Sequence, residues 1–156
     1  MSSLPQTKFL LIGVGNPLRA DDAAGALAAK LIRGRRHSCR VVEHNGDGAS
    51  LIDAWSGAQK VIVVDAVSSD SPPGTIFRFD ATEQPLPGKV FQNSTHTFGL
   101  REAVELSRAL HRLPHQLIIY GIVGKSFALG GRLSAEVEEA ACQVVERILE
   151  EPGVRI

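Results

Sequence analysis

Three short, almost unbroken apolar runs constrain this chain more than any other feature. They are "KFLLIGVG" (8–15), "KVIVVDAV" (60–67) and "HQLIIYGIVG" (115–124). A half-exposed strand alternates apolar and polar residues. A run without alternation, bounded by turn residues, reads as a strand with both faces covered, and parallel sheets flanked by helices provide that setting. Two weaker strands join them. "CRVVEHNG" (39–46) is more exposed, and "TIFRFDA" (75–81) alternates, as at a sheet edge.

Helical patterns fill the intervals. Residues 21–33 place Ala24, Leu27, Ala28 and Leu31 on one stripe. Residues 49–57 suit a short helix. Residues 97–112 turn Leu100, Val104, Ser107 and Leu110 inward. Residues 134–150 have Ser134 as N-cap and Val137, Ala141, Val144 and Ile148 as their stripe. "SSDSPPGT" (68–75) is turn chemistry. "TEQPLPGKVFQNS" (82–94) is a long irregular loop, a length that favours a functional role such as a substrate-facing lid. The order β-α-β-α-β-β-α-β-α predicts an α/β fold, a three-layer α/β/α sandwich around a mostly parallel sheet, in one domain over 1–156. Ligands of such sheets sit beyond the carboxyl ends of the strands. That directs attention to the turn after the first strand, the end of the third, and the loop before residue 97.

Composition narrows the function classes. Lys+Arg and Asp+Glu both number 17, so no basic excess favours nucleic acid or a membrane surface. No apolar run approaches the roughly 20 residues that span a bilayer. Cys39 and Cys142 form no C-x-x-C pair, which argues against a disulfide framework or zinc ribbon and for reduced thiols in the cytoplasm.

Two nucleotide motifs fail on inspection. In "GVGNPL" the first two glycines of a dinucleotide fingerprint, Gly13 and Gly15, are present, but Leu18 stands at the third. Asp21 and Asp22 would then repel a phosphate at the helix entry. "GIVGKS" (121–126) ends like a P-loop but has Ile119 where its first glycine belongs, so Lys125 reads as a solvent-facing residue. A Ser94–His96–Asp65 triad lacks the G-x-S-x-G elbow.

What remains is a set of carboxylates and one imidazole. Adjacent helical residues point about 100° apart, so Asp21 and Asp22 must do different work. Asp21 reads as an N-cap, which frees Asp22 to project over the sheet edge. Asp65 interrupts an apolar strand, where an unpaired carboxylate is costly. It either accepts backbone N–H bonds or binds a ligand. His96 either caps the following helix or joins Asp22 and Asp65 in an O/O/N set suited to a divalent transition metal. Asn16 reads as a turn-holding residue.

Taken together, "GVGNPLRADDAAG", "VIVVDAV" and "STHTFGL", in this order and spacing, resemble the nickel–iron hydrogenase maturation endopeptidases. "PPGTIFRF" and "IYGIVGKS…LSAEVEEA" extend the resemblance over nearly the whole chain. It implies a twisted five-stranded sheet with one antiparallel strand, for which 75–81 is the candidate. It implies removal of a C-terminal extension from the hydrogenase large-subunit precursor after nickel insertion. It also implies that Asp22, Asp65 and His96 contact nickel carried by that substrate. The sequence departs from the family at Ala23, where glycine is common, and at "HNGDGAS" (44–50), where Asp47 is new in a loop expected to help choose the substrate. Two other readings stay open: a non-proteolytic nickel-sensing escort of the immature subunit, and a nucleotide-binding α/β protein.

Overall fold

The structure, a computed structural model, describes residues 8–91 and 97–155. Five strands, β1 (Phe9–Val14), β2 (Arg40–His44), β3 (Lys60–Val67), β4 (Ile76–Asp80) and β5 (Gln116–Val123), form one sheet in the order β2-β1-β3-β5-β4. β1 is parallel to β2 and β3, and β3 is parallel to β5. β4 pairs antiparallel with β5, so the edge strand expected over 75–81 is the antiparallel one. The helices are α1 (Ala24–Arg33), α2 (Gly48–Trp55), α3 (Leu100–Ala109) and α4 (Ala135–Glu150). None of the described helices is long and apolar enough to cross a membrane.

The period-2 geometry of strands explains the layers. Leu11, Ile62, Val64, Ile118, Tyr120 and Ile122 face α1 and α4. Leu10, Ile12, Val61, Val63, Leu117 and Ile119 face α2 and α3. Trp55, wholly buried on the α2/α3 side, donates its indole N–H to Ser107 Oγ at 3.1 Å.

Two helix faces differ from their expected stripes. On α1 the buried residues are Ala24, Gly25, Ala28, Ala29 and Ile32, with Leu27 and Leu31 only half-buried. The cause is close approach. A Cβ on Gly13 of β1 would lie 2.2 Å from the Gly25 carbonyl oxygen, and one on Gly25 would lie 2.3 Å from that of Val14. α1 therefore sits on the sheet through its smallest residues, and its leucines fill the flanks. On α3, Leu110 lies beyond the last helical residue and is exposed, while Ala103 takes the inner position.

Candidate functional site

The chain runs from β1 through α1 to β2 on one side, then crosses back through α2 to β3 on the other side of β1. This reversal creates a crevice at the carboxyl ends of β1 and β3, the place where open α/β sheets hold ligands. β1 pairs with β3 as far as Gly13↔Val64 and then departs, so Asp65 is the first β3 residue beyond their shared ladder. Alternation puts Asp65 on the face of Val61 and Val63, which α2 and α3 cover.

The turn leaving β1 is shaped residue by residue. Gly15 has φ of +140°, and a Cβ there would lie 2.0 Å from the Asp22 carbonyl oxygen. Asn16 Oδ1 accepts the Leu18 N–H at 2.9 Å, the turn-holding role expected of it. Ala20 is held at φ of +46°, a left-handed conformation that costs an alanine about 1–2 kcal/mol. A 3-10 turn over Ala20–Ala23 follows, and α1 begins only at Ala24. Asp22 lies in this turn, where its Oδ2 accepts the Asn16 N–H at 2.8 Å.

The two carboxylates interact. Burial first, and the Asp22 charge second, push the Asp65 carboxyl well above the usual carboxylate range, while the Ala66 N–H pulls the other way. Asp22 and Asp65 are thus brought to one rim, as expected. His96 and Ser94 lie outside the described residues. Among the described residues no three His, Cys, Asp or Glu side chains gather as a metal-holding group. Asp22 and Asp65 are the two members of the expected O/O/N set that fall within the described residues.

Asp21 is not the N-cap that its position suggests. It is fully buried, and its carboxylate accepts the N–H groups of Lys125 (2.7 Å), Ser126 (3.2 Å) and Ser134 (2.7 Å) and the Ser134 hydroxyl (3.0 Å). Burial opposes its ionisation, but these four donors outweigh burial and draw its pKa below the ordinary value. Ser134 does precede α4, yet its hydroxyl serves Asp21 instead of capping its own helix. Asp21 thereby fastens the β5–α4 loop to the turn that carries Asp22. Nothing local in the sequence signals this link, because the partners stand 113 residues apart.

The same bonds dispose of both nucleotide motifs. The Lys125 and Ser126 N–H groups that a P-loop would turn to phosphate are occupied by Asp21. The Lys125 side chain is exposed and lies 3.8 Å from Glu136. In the first motif, Gly25 supplies the tight helix–strand contact, and an aspartate holds the turn N–H. Glu43 of β2, the acid that follows this motif, pairs with Arg33 at 2.9 Å.

Neighbouring loops complete the rim. The Gly15 N–H bonds to the His44 carbonyl at 2.9 Å, and the Gly48 N–H bonds to that of Phe98 at 2.8 Å. Asp47, the departure in "HNGDGAS", is the N-cap of α2 and accepts the Ser50 N–H at 3.1 Å. The 82–94 segment is less lid-like than expected. It leaves β4 at Asp80, opposite Ile118, well below the rim. Its described part is tethered by Arg108 to the carbonyls of Ala81 (2.6 Å) and Gln84 (3.4 Å), and by Phe91 against Phe79 at 5.7 Å. Residues 92–94 lie outside the described residues. Both cysteines are unbridged. Burial pushes the Cys39 thiol up to about 11, and Cys142 is exposed on α4.

Comparison with known proteins agrees with this geometry. Residues 26–151 match the family model for hydrogenase maturation proteases. A putative hydrogenase maturation protease of Methanocaldococcus jannaschii is 31% identical over 152 residues, spanning 92% of this chain and 95% of its own. A hydrogenase expression/formation protein of Thiocapsa roseopersicina is 28% identical over 149 residues, spanning 92% of this chain and 66% of its own. Among solved structures, the hydrogenase maturating endopeptidase HybD of Escherichia coli superposes with a TM-score of 0.78 at 25% identity over 95% of each chain. The chain belongs to the hydrogenase maturation protease family and is an endopeptidase.

Proposed function

We propose that this endopeptidase removes the C-terminal extension of a nickel–iron hydrogenase large-subunit precursor after nickel insertion, and that Asp22, Asp65 and His96 bind the nickel. The ion arrives with the precursor and is part of the substrate. The observation that carries the reading is the placement of two carboxylates at the β1/β3 crevice, Asp22 in the turn that leaves β1 and Asp65 just beyond the ladder that β1 shares with β3. A divalent cation between two carboxylates favours the ionised form of both. His96, four residues ahead of Leu100 in the sequence, is the third donor of this proposal.

The two-aspartate, one-histidine set keeps open positions for ligands that the precursor supplies. This gives the reaction a checkpoint. Without nickel, the bridge between the two carboxylates and the precursor is missing. With nickel, the precursor is held at the rim and its scissile bond is fixed relative to the ion. A bound divalent ion can polarise a carbonyl or lower the pKa of a bound water to about 7. The two unbridged cysteines suit a cytoplasmic setting for this step.

The test is processing of nickel-loaded precursor by Asp22→Ala and His96→Ala variants, read by mass spectrometry of the large subunit with and without its tail. Both variants are expected to fold and to leave the tail in place. Removal of the tail at the normal rate by either one would refute the ligand assignment. Equal processing of nickel-free precursor by the unaltered protein would refute the checkpoint.

A further inference from the structure

The two most exposed large apolar side chains in the described structure are Leu18 (68%) and Leu129 (70%). Isolated exposed leucines are ordinary surface features. These two are far apart in sequence but lie on loops joined backbone to backbone, because the Gly130 N–H donates to the Leu18 carbonyl at 2.8 Å. A second bond, Asp21 N–H to the Ser126 carbonyl at 2.9 Å, runs beside it. The Asp21 carboxylate then locks the 125–134 loop to the Asp22 turn with four more hydrogen bonds. Close packing tightens the join further, since a Cβ on Gly131 would lie 3.0 Å from that of Ala20. An exposed apolar pair is thus held fixed against the turn that presents one of the site carboxylates.

Two arginines stand near the pair in sequence. Arg19 adjoins Leu18 and Arg132 lies three residues after Leu129, and neither has an ion-pair partner among the described residues, whereas Lys125 on the same loop is paired with Glu136. An endopeptidase must seat a polypeptide beside its site, and a preformed apolar ledge adjoining that site shortens the search for register. We propose that Leu18 and Leu129 form a docking ledge for the protein substrate, taking an apolar segment of the precursor flanked by acidic side chains. The inference rests on the reading of the substrate given above. In this arrangement Asp21 is a positioning residue, which keeps the ledge at a constant offset from Asp22. The ledge supplies affinity and register, and Asp22 and Asp65 meet the metal.

The experiment compares the unaltered protein with Leu18→Ser, Leu129→Ser, the double variant and Arg132→Glu, using purified nickel-loaded precursor. Both leucines are exposed, so the melting temperatures should match. KM is expected to rise about tenfold for each leucine, the effect of losing one well-buried aliphatic contact, with kcat held within about twofold. Arg132→Glu is expected to raise KM several-fold and to weaken the dependence of KM on salt. An unchanged KM in the double variant overturns the ledge. So does an unaltered protein that self-associates on sedimentation while the double variant is monomeric, since a second copy would then be the occupant. If the unaltered protein fails to process the precursor at all, the proposed substrate falls and the ledge with it. That result is distinct from processing that is indifferent to both leucines.

Discussion

Two regions of this molecule hold carboxylates on opposite terms. On the α1/α4 side, Glu151 follows α4 and is 8% exposed. Its oxygens accept from Tyr120 OH at 2.7 Å, Arg78 Nε at 2.8 Å and Lys60 Nζ at 3.2 Å. Burial opposes its ionisation, but Arg78, Tyr120 and Lys60 outweigh burial and hold it below the ordinary glutamate value. At the crevice, Asp65 has a second carboxylate for a neighbour and is pushed the other way. Lys60 and Asp65 belong to the same strand, five residues apart. Among the described residues, one end of β3 thus sets a carboxylate among cationic and hydroxyl donors, and the other sets it beside a second carboxylate. A satisfied buried charge serves the fold. A half-buried carboxyl pushed off its ordinary range by a like charge in a crevice is a candidate for contact with a ligand.

The contrast can be broken in four ways. The largest expected effect is catalytic. Asp65→Ala should reduce precursor processing by at least about 10³-fold while the protein stays folded, measured by single-turnover cleavage and circular dichroism. Glu151→Leu should do the reverse. It leaves Lys60 and Arg78 without their anion and should cost about 3–5 kcal/mol in urea unfolding, with kcat little changed for the protein that remains folded. Third is the acid limb of stability. Glu151 has a lowered folded pKa, so its contribution is present above the unfolded glutamate value near 4.3 and disappears as pH falls through the folded value. Thermal melts of Glu151→Gln between pH 3 and pH 6, a range of about three units, should show a flatter slope than the unaltered protein. The smallest effect is at Asp65 in metal-free protein. Its raised pKa means that ionisation works against folding at neutral pH, so Asp65→Asn should raise the melting temperature at pH 7 and change it little once pH falls below the unfolded aspartate value. A melting temperature lowered by that change would place Asp65 with Glu151 as a structural carboxylate.

The sequence made the three buried strands and the layer order legible because both depend on local apolar pattern. β3 begins and ends where its pattern says. Asp22 and Asp65 stand out in the sequence because a carboxylate beside an apolar run is locally conspicuous, and the structure sets one in the turn after β1 and the other near the end of β3. The division of labour between Asp21 and Asp22 was half legible. Two adjacent aspartates must differ, but whether one caps depends on where the helix starts. A left-handed alanine delays that start to Ala24. Asp21 finds its donors across 104 to 113 residues, which no local rule can foresee. On α1, Ala24 and Ala28 are buried as the stripe predicts and Leu27 and Leu31 pack at its flanks, but space against β1 also selects Gly25 and Ala29, which apolarity alone does not signal. Glu151 gave no signal at all. It follows a helix in the string "EEPG", and its partners come from three separate strands.

Trp55 offers a way to hear the two faces of the sheet separately. It is the only tryptophan in the chain, and it lies deep in the α2/α3 layer with its indole N–H on Ser107. Its fluorescence therefore reports one layer alone, whereas far-ultraviolet dichroism sums over all four helices. A perturbation at Glu151, on the other face, can reach the indole only through the sheet. If fluorescence and dichroism melt at the same temperature in such a variant, the two layers unfold as one cooperative unit. A gap between the curves would mean that the helix layer bearing Glu151 can peel away while the layer over Asp65 stays in place.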